Sequence, residues 1–130
     1  MGHYFVDAEI TNIRNEKKAA KVAHLLVDTG SEYTWIAAET LKQISVKVQK
    51  KDAPFLMANG QTITRPIGYV ILRAEGFETV DEVVFGEPGD LQLLGARTME
   101  GFGAMVDPRK KRLVASRPHP AARTQAHAAA

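Results

Sequence analysis

The stretch LLVDTGSEYTW (residues 25–35) decides how the rest of the chain is read. It begins as an apolar run suited to a buried strand and stops on an acid, Asp28. Thr29, Gly30 and Ser31 are small or hydroxylated and turn the chain, and TWIA then resumes a β-forming run. Asp-Thr-Gly alone is a short motif that average residue usage produces in roughly a few per cent of chains this long. A β-turn in which the aspartate side chain accepts a nearby N–H accounts for it without any chemistry. No other Asp in the chain is followed by Thr-Gly or Ser-Gly.

On either side of this stretch the signals are short and mostly β. HYFVDAEIT (3–11) places Tyr4, Val6, Ala8 and Ile10 on one face. NIRNEKKAA (12–20) reads as a polar hairpin connection into KVAHLLVD (21–28), which is apolar enough to be a central strand. AAETLKQI (37–44) predicts a helix of a turn or two. SVKVQKKDAPFLMA (45–58) returns to strand, and Asn59-Gly60 is a strong hairpin signal because both residues tolerate positive φ. A second hairpin pairs YVILRA with TVDEVVF around Glu75, Gly76 and Phe77. LQLLG (91–95) predicts a buried strand ending on glycine. ARTMEGF (96–102) predicts a short helix capped by Gly101 or Gly103, and AMVDPRKKRLVAS a last hairpin opened by Asp107-Pro108.

Composition sets the class. A chain of 130 residues with 45% hydrophobic content suits one domain with a real core. We assign that domain to residues 1–116 and read 117–130 as a disordered Pro/Ala-rich tail. No run approaches the roughly 20 apolar residues of a membrane span, and no signal peptide is visible, so the cytoplasm is the expected location and no membrane partner is expected. There is no cysteine, which removes disulfides and thiol chemistry. The four histidines are scattered, so no metal site is expected. The basic run PRKKR (108–112) lacks interleaved aromatics and reads as a solvated turn, not a nucleic-acid surface.

Taken in order, LLVDTGS, TWIA, the hairpin at Asn59-Gly60, LQLLGAR and FGAMVDPRKKRLV resemble the retroviral-type aspartic peptidases (retropepsins) and their bacterial single-domain relatives. The apolar pair before Asp-Thr-Gly is Leu26-Val27. The second family signature, two apolar residues and a glycine, is Leu93-Leu94-Gly95. The resemblance spans about residues 4–115. At the second signature the family often has Gly-Arg-Asp or Gly-Arg-Asn where this chain has Gly95-Ala96-Arg97-Thr98. The hairpin sequence MANGQT is similar to bacterial flaps and lacks the Gly-rich tip of viral ones.

The resemblance implies an all-β, closed-barrel-like acid protease (retropepsin) fold with one short C-terminal helix. It also implies an aspartic endopeptidase acting on polypeptides. That chemistry needs two carboxylates around one water. Two carboxyls sharing a site lose their protons in separate, coupled steps, so one serves as base and the other as acid. With a single Asp-Thr-Gly the second carboxylate must come from a second copy, which a two-fold homodimer supplies.

The expected catalytic residues are Asp28, Thr29 and Gly30. Asp28 holds the water, Thr29 by resemblance braces the two loops across the dimer, and Gly30 lets backbone approach the carboxylate. Ser31 is expected on the outer carboxylate oxygen. Met57, Ala58, Asn59, Gly60 and Gln61 are expected to cover the substrate. Ile36, Phe55, Met57, Ile63 and Leu91 are the expected apolar lining, although Trp35 and Phe55 read first as core. Arg97 is expected to pair with a carboxylate such as Glu100 or with the surroundings of Asp28. Neither a metal nor an organic cofactor is expected. The competing reading is a non-catalytic peptide-binding or dimerisation module on the same fold.

Overall fold

The computed structural model describes residues 3–116, 118, 120 and 121. Most of the expected tail at 117–130 lies outside the described residues. In chain order the elements are β1 (Phe5–Asn12), β2 (Ala19–Val27), β3 (Thr34–Ala37), α1 (Ala38–Gln43), β4 (Val48–Leu56), β5 (Thr62–Ala74), β6 (Phe77–Gly86), β7 (Leu93–Leu94), α2 (Ala96–Phe102), β8 (Ala104–Asp107) and β9 (Arg112–Ala115). The architecture is predominantly β. The short C-terminal helix is α2, and α1 is a second short helix where AAETLKQI predicts one. No helix among the described residues is long and apolar enough to cross a membrane.

Seven strands form one sheet in the order β1-β2-β7-β3-β6-β5-β4, and β1 also pairs with β5. The hydrogen-bonded order therefore returns to its starting strand. β5 makes this possible. Its first half pairs with β4, from Thr62 opposite Leu56 to Gly68 opposite Val48. Its last residues, Val70 to Ala74, pair with β1 along the same edge. β8 and β9 form a separate hairpin.

Local chemistry sets the turns. Glu75 (φ 50°) and Gly76 (φ 86°) both adopt the left-handed conformation, the geometry of a two-residue hairpin turn. That turn is one residue shorter than the predicted Glu75-Gly76-Phe77, because Phe77 already pairs with Ala74. Gly103 (φ 66°), not Gly101, caps α2. Asn12 is buried and uses both ends of its amide. Its Nδ2 donates to the carbonyls of Ile44 and Ser45, and its Oδ1 accepts from the N–H groups of Arg14 and Asn15. The β1–β2 turn is thus tied to the end of α1. In the basic β8–β9 turn, Asp107 accepts from the N–H groups of Arg109 and Lys110.

Two apolar clusters divide the interior. The larger joins Ile10, Leu25, Ile36, Leu41, Val70, Leu72, Val83, Leu94 and Phe102, among others. The smaller is built on Trp35, Ile67, Val84 and Leu93, with Tyr33, Phe55, Met57 and Ile63 packed against it. The smaller cluster lies beneath the cleft described next.

LQLLG forms less strand than its composition predicts. Only Leu93 and Leu94 are β, and Leu91 is 71% exposed. Gly89 (φ 95°) and the turn at Asp90 hold residues 87–92 as a loop.

Candidate active site

The acid at the end of β2 is held by backbone on both sides. Leu26 and Val27 pair in parallel with Leu93 and Leu94. The Val27 N–H donates to the Tyr4 carbonyl (2.8 Å) and the Asp28 N–H to the Leu94 carbonyl (2.9 Å). Beyond Asp28 the chain turns on the aspartate itself. The Gly30 N–H donates to Asp28 Oδ1 (3.0 Å) and the Ser31 N–H to the Asp28 carbonyl (3.1 Å). A Cβ built on Gly30 would stand 3.1 Å from Asp28 Oδ1. A side chain there would crowd the carboxylate, as the sequence leads one to expect.

The same loop caps α2. The first N–H groups of a helix have no intrahelical acceptor. Here the Ala96 N–H donates to the Ser31 carbonyl (2.8 Å) and the Arg97 N–H to the Glu32 carbonyl (3.0 Å). Beneath them runs a buried chain of hydroxyls. The Gly95 N–H donates to Thr34 Oγ1 (2.9 Å), Thr34 and Thr98 share a 2.6 Å bond, and Thr98 Oγ1 donates to Asp81 Oδ2 (2.9 Å). Because Thr98 gives its one proton to Asp81, the shared bond must run from Thr34 to Thr98. Thr98 thus ties the second signature to β3 and β6. Gly95 admits no side chain, since a Cβ would collide with the Tyr33 carbonyl.

Asp28 opens into a cleft of about 660 Å³. One side is Gly30, Ser31, Glu32, Tyr33 and Trp35, the other is Pro54 to Ala58 of the β4–β5 hairpin, and the end is closed by Gly89, Asp90, Leu91 and Leu93. Phe55 packs edge-on against Tyr33 and Trp35, with ring centroids 5.5 and 5.1 Å away.

Several expected site residues converge here and others do not. Asp28, Gly30, Ser31, Met57 and Ala58 line the cleft. Thr29 is exposed on the loop outside the lining, and Asn59, Gly60 and Gln61 form the exposed hairpin tip. The tip is closed by the Met57 N–H to the Gln61 carbonyl (2.8 Å) and the Gly60 N–H to the Met57 carbonyl (2.9 Å).

The expectations for Ser31, Ile36 and Ile63 are corrected, the last because Ile63 packs on the smaller cluster outside the cleft lining, and those for Trp35, Phe55 and Arg97 are met in part. The Ser31 hydroxyl donates to the Tyr33 carbonyl (3.1 Å), not to the Asp28 carboxylate, because the turn directs it onward along the chain. Ile36 is fully buried in the larger cluster, on the opposite face of β3 from Trp35. Trp35 and Phe55 are cleft walls as well as packed side chains. Arg97 bonds Glu32 (3.0 Å) rather than Glu100, lies 3.7 Å from Glu82 and covers the Tyr33 ring at 4.6 Å.

The sequence reading missed Tyr33, Leu93 and Asp90. Tyr33 and Leu93 each stand two residues from a residue already singled out, Trp35 and Leu91, a spacing that suggests a shared face but does not say which face meets the cleft. Asp90 had no such signal. Arg65 bonds it in a fork, Nε to Oδ2 (2.8 Å) and Nη2 to Oδ1 (3.1 Å). That hydrogen bonding holds the Asp90 carboxyl below its ordinary value.

Among the described residues no group of three or more His, Asp or Glu side chains converges as a metal set. A comparison with protein-family models finds no match, and neither does a search of curated proteins.

Proposed function

We propose that this chain is a homodimeric aspartic endopeptidase with a retropepsin-type closed barrel, hydrolysing peptide bonds with water activated between two Asp28 carboxylates, one from each subunit. The observation that carries the reading is the setting of Asp28. It stands half-buried at the floor of an apolar cleft, oriented by the Gly30 N–H, beneath a hairpin long enough to cover an extended peptide. The other carboxylates lining the cleft are committed elsewhere, Glu32 to Arg97 and Asp90 to Arg65. That pairing supports a second copy of Asp28 as the source of the other carboxylate.

The chemistry follows from that pair. The ionised Asp28 takes a proton from water as the oxygen attacks the peptide carbonyl carbon. The protonated mate gives its proton to the carbonyl oxygen. The tetrahedral intermediate then collapses: Asp28 gives its acquired proton to the amine nitrogen, the C–N bond breaks, and a hydroxyl of the intermediate returns a proton to the mate, which restores the pair. The apolar walls exclude competing water.

Asp28→Asn tests the reading. Hydrolysis of an apolar-flanked peptide should fall by at least about 10³-fold, with thermal stability and sedimentation nearly unchanged. A variant that cleaves like the wild type refutes the assignment, and full activity in a monomer refutes the shared pair. One observation favours a second reading. β4 ends the sheet order and leaves an open edge to which a peptide strand can add without being cut. Peptide binding without hydrolysis in the wild type would select it.

A further inference from the structure

The Arg65–Asp90 pair joins parts of the molecule that otherwise meet only across the cleft. Arg65 is on β5, in the half that pairs with β4, opposite Ala53. Asp90 is in the 87–92 loop, next to Leu91, which forms the far wall. Both side chains are largely buried, 14% and 16% exposed, and the bond is a fork of two nearly parallel contacts. Such a fork fixes orientation as well as distance. Each partner is fixed further. Arg65 Nη1 donates to the Thr64 carbonyl (2.8 Å), and Asp90 Oδ2 accepts the Glu87 N–H (2.7 Å), which closes the loop on itself. Glu87 adds a weaker contact to Arg65 at 3.7 Å.

Besides this pair the loop is held by its own turn, the Asp90 N–H on the Glu87 carbonyl (2.9 Å), and at Gln92, whose Oε1 accepts the Ala37 N–H (3.0 Å). Leu91 is 71% exposed, and Leu56, on the hairpin side, is 77% exposed. Packing therefore does little to set Leu91, whereas Met57, beside Leu56, rests on the smaller cluster. The ion pair is thus a direct side-chain tie between β5, which carries the hairpin, and the loop that carries Leu91.

We propose that Arg65 and Asp90 form a positioning latch that sets the gap between Met57 on the hairpin and Leu91 on the wall, and so the size of apolar substrate side chain the cleft accepts. This rests on the peptidase reading. A wall held in place pre-pays its ordering, whereas a free wall must be ordered by each substrate. Selectivity between apolar side chains depends on packing differences of a few methylenes, which a mobile wall averages away.

The test uses the full-length protein with Arg65→Gln, Asp90→Asn and Arg65→Lys. Two readouts are taken: amide hydrogen exchange of residues 86–92, and kcat and KM for two peptides that differ only in Val or Phe on the acyl side of the scissile bond. Arg65→Gln and Asp90→Asn should each raise loop exchange and shrink the selectivity ratio by about threefold or more, with most of that change falling on KM. Arg65→Lys keeps the charge but loses the fork, and should restore part of both. Unchanged loop exchange in both charge-removing variants overturns the latch. So does a uniform fall in kcat for both peptides with the ratio intact. If the wild type cleaves neither peptide, the peptidase reading and the selectivity role fall together, and faster loop exchange in the variants would then support a structural tie alone.

Discussion

At its C-terminal end β5 turns into β6 through Glu75 and Gly76, and at its N-terminal end it leaves β4 through residues 57–61. The two hairpins share a strand and little else. In the first, Val70, Leu72 and Ala74 of β5 and Val83 to Gly86 of β6 are buried. The turn is tied from outside, because Glu75 accepts from the Tyr4 hydroxyl (2.6 Å) and from the Leu113 N–H (2.7 Å). In the second, no residue of β4 is buried, and the tip is closed mainly by its own bonds. One strand thus serves as scaffold over half its length and as cover over the other half. Local opening is cheapest where few apolar contacts hold the chain, so the hairpin around residues 57–61 should open before the Glu75-Gly76 hairpin does; on the proposed peptidase reading it is the part that admits substrate.

The sharpest way to break this comparison is to cut the same strand in both halves. Leu72→Ala removes a fully buried side chain and should cost about 3 kcal/mol. Ile63→Ala, in the half-buried covering part, should cost about 1 kcal/mol, since much of that side chain is already in water. Equal losses by urea unfolding would show the two halves to be one rigid unit.

A smaller effect is expected at the scaffold turn. Glu75→Gln weakens two hydrogen bonds to a charged acceptor and should cost about 1 kcal/mol. The same contact predicts a pH dependence. Burial, followed by the bond to Glu75, pushes the Tyr4 phenol well above its ordinary value. Its contribution is whole below the unfolded value of about 10. Above that the unfolded chain loses its proton first, so stability falls as pH rises. Melting temperature should decline more steeply between pH 9 and pH 11, roughly the span around that unfolded value, in the wild type than in Tyr4→Phe.

The smallest effect belongs to the cover. The Arg65 guanidinium holds the Asp90 carboxyl low. Its contribution is therefore present above the unfolded carboxylate value of about 3.9 and is lost as pH falls through the lower folded value. Hydrogen exchange of residues 86–92, corrected for the intrinsic pH rate, should stay protected at about pH 4 and lose protection only below it. Loss of protection at higher pH would show that the carboxylate is not held by its partner.

Much of the fold was legible because its signals are local. The alternation of Tyr4, Val6, Ala8 and Ile10, the Asn59-Gly60 tip, the Glu75-Gly76 turn and the glycine after α2 each follow from neighbouring residues. What was not legible depends on which face a short apolar run presents. Thr34, Trp35 and Ile36 are all buried, so alternation cannot tell which of them meets the cleft. Leu91 has the composition of a strand residue, but the turn at Gly89 and Asp90 leaves it in a loop. The guanidiniums of Arg65 and Arg97 find partners set by folding. Asp90 lies 25 residues from Arg65, and Glu32 lies 65 from Arg97.

The sequence by itself determined that the chain is built of short strands, where it turns, and that one acid stands at a strand end two residues before a glycine. These follow from backbone sterics and from the period of burial, which act over a few residues. Only the tertiary structure decided that β5 pairs with β1 and β4 along one edge, that α2 is capped by the carbonyls beside Asp28, and that Arg65 meets Asp90 across the cleft. Those contacts join residues far apart in the chain, and their partners are selected by the packing of the whole core.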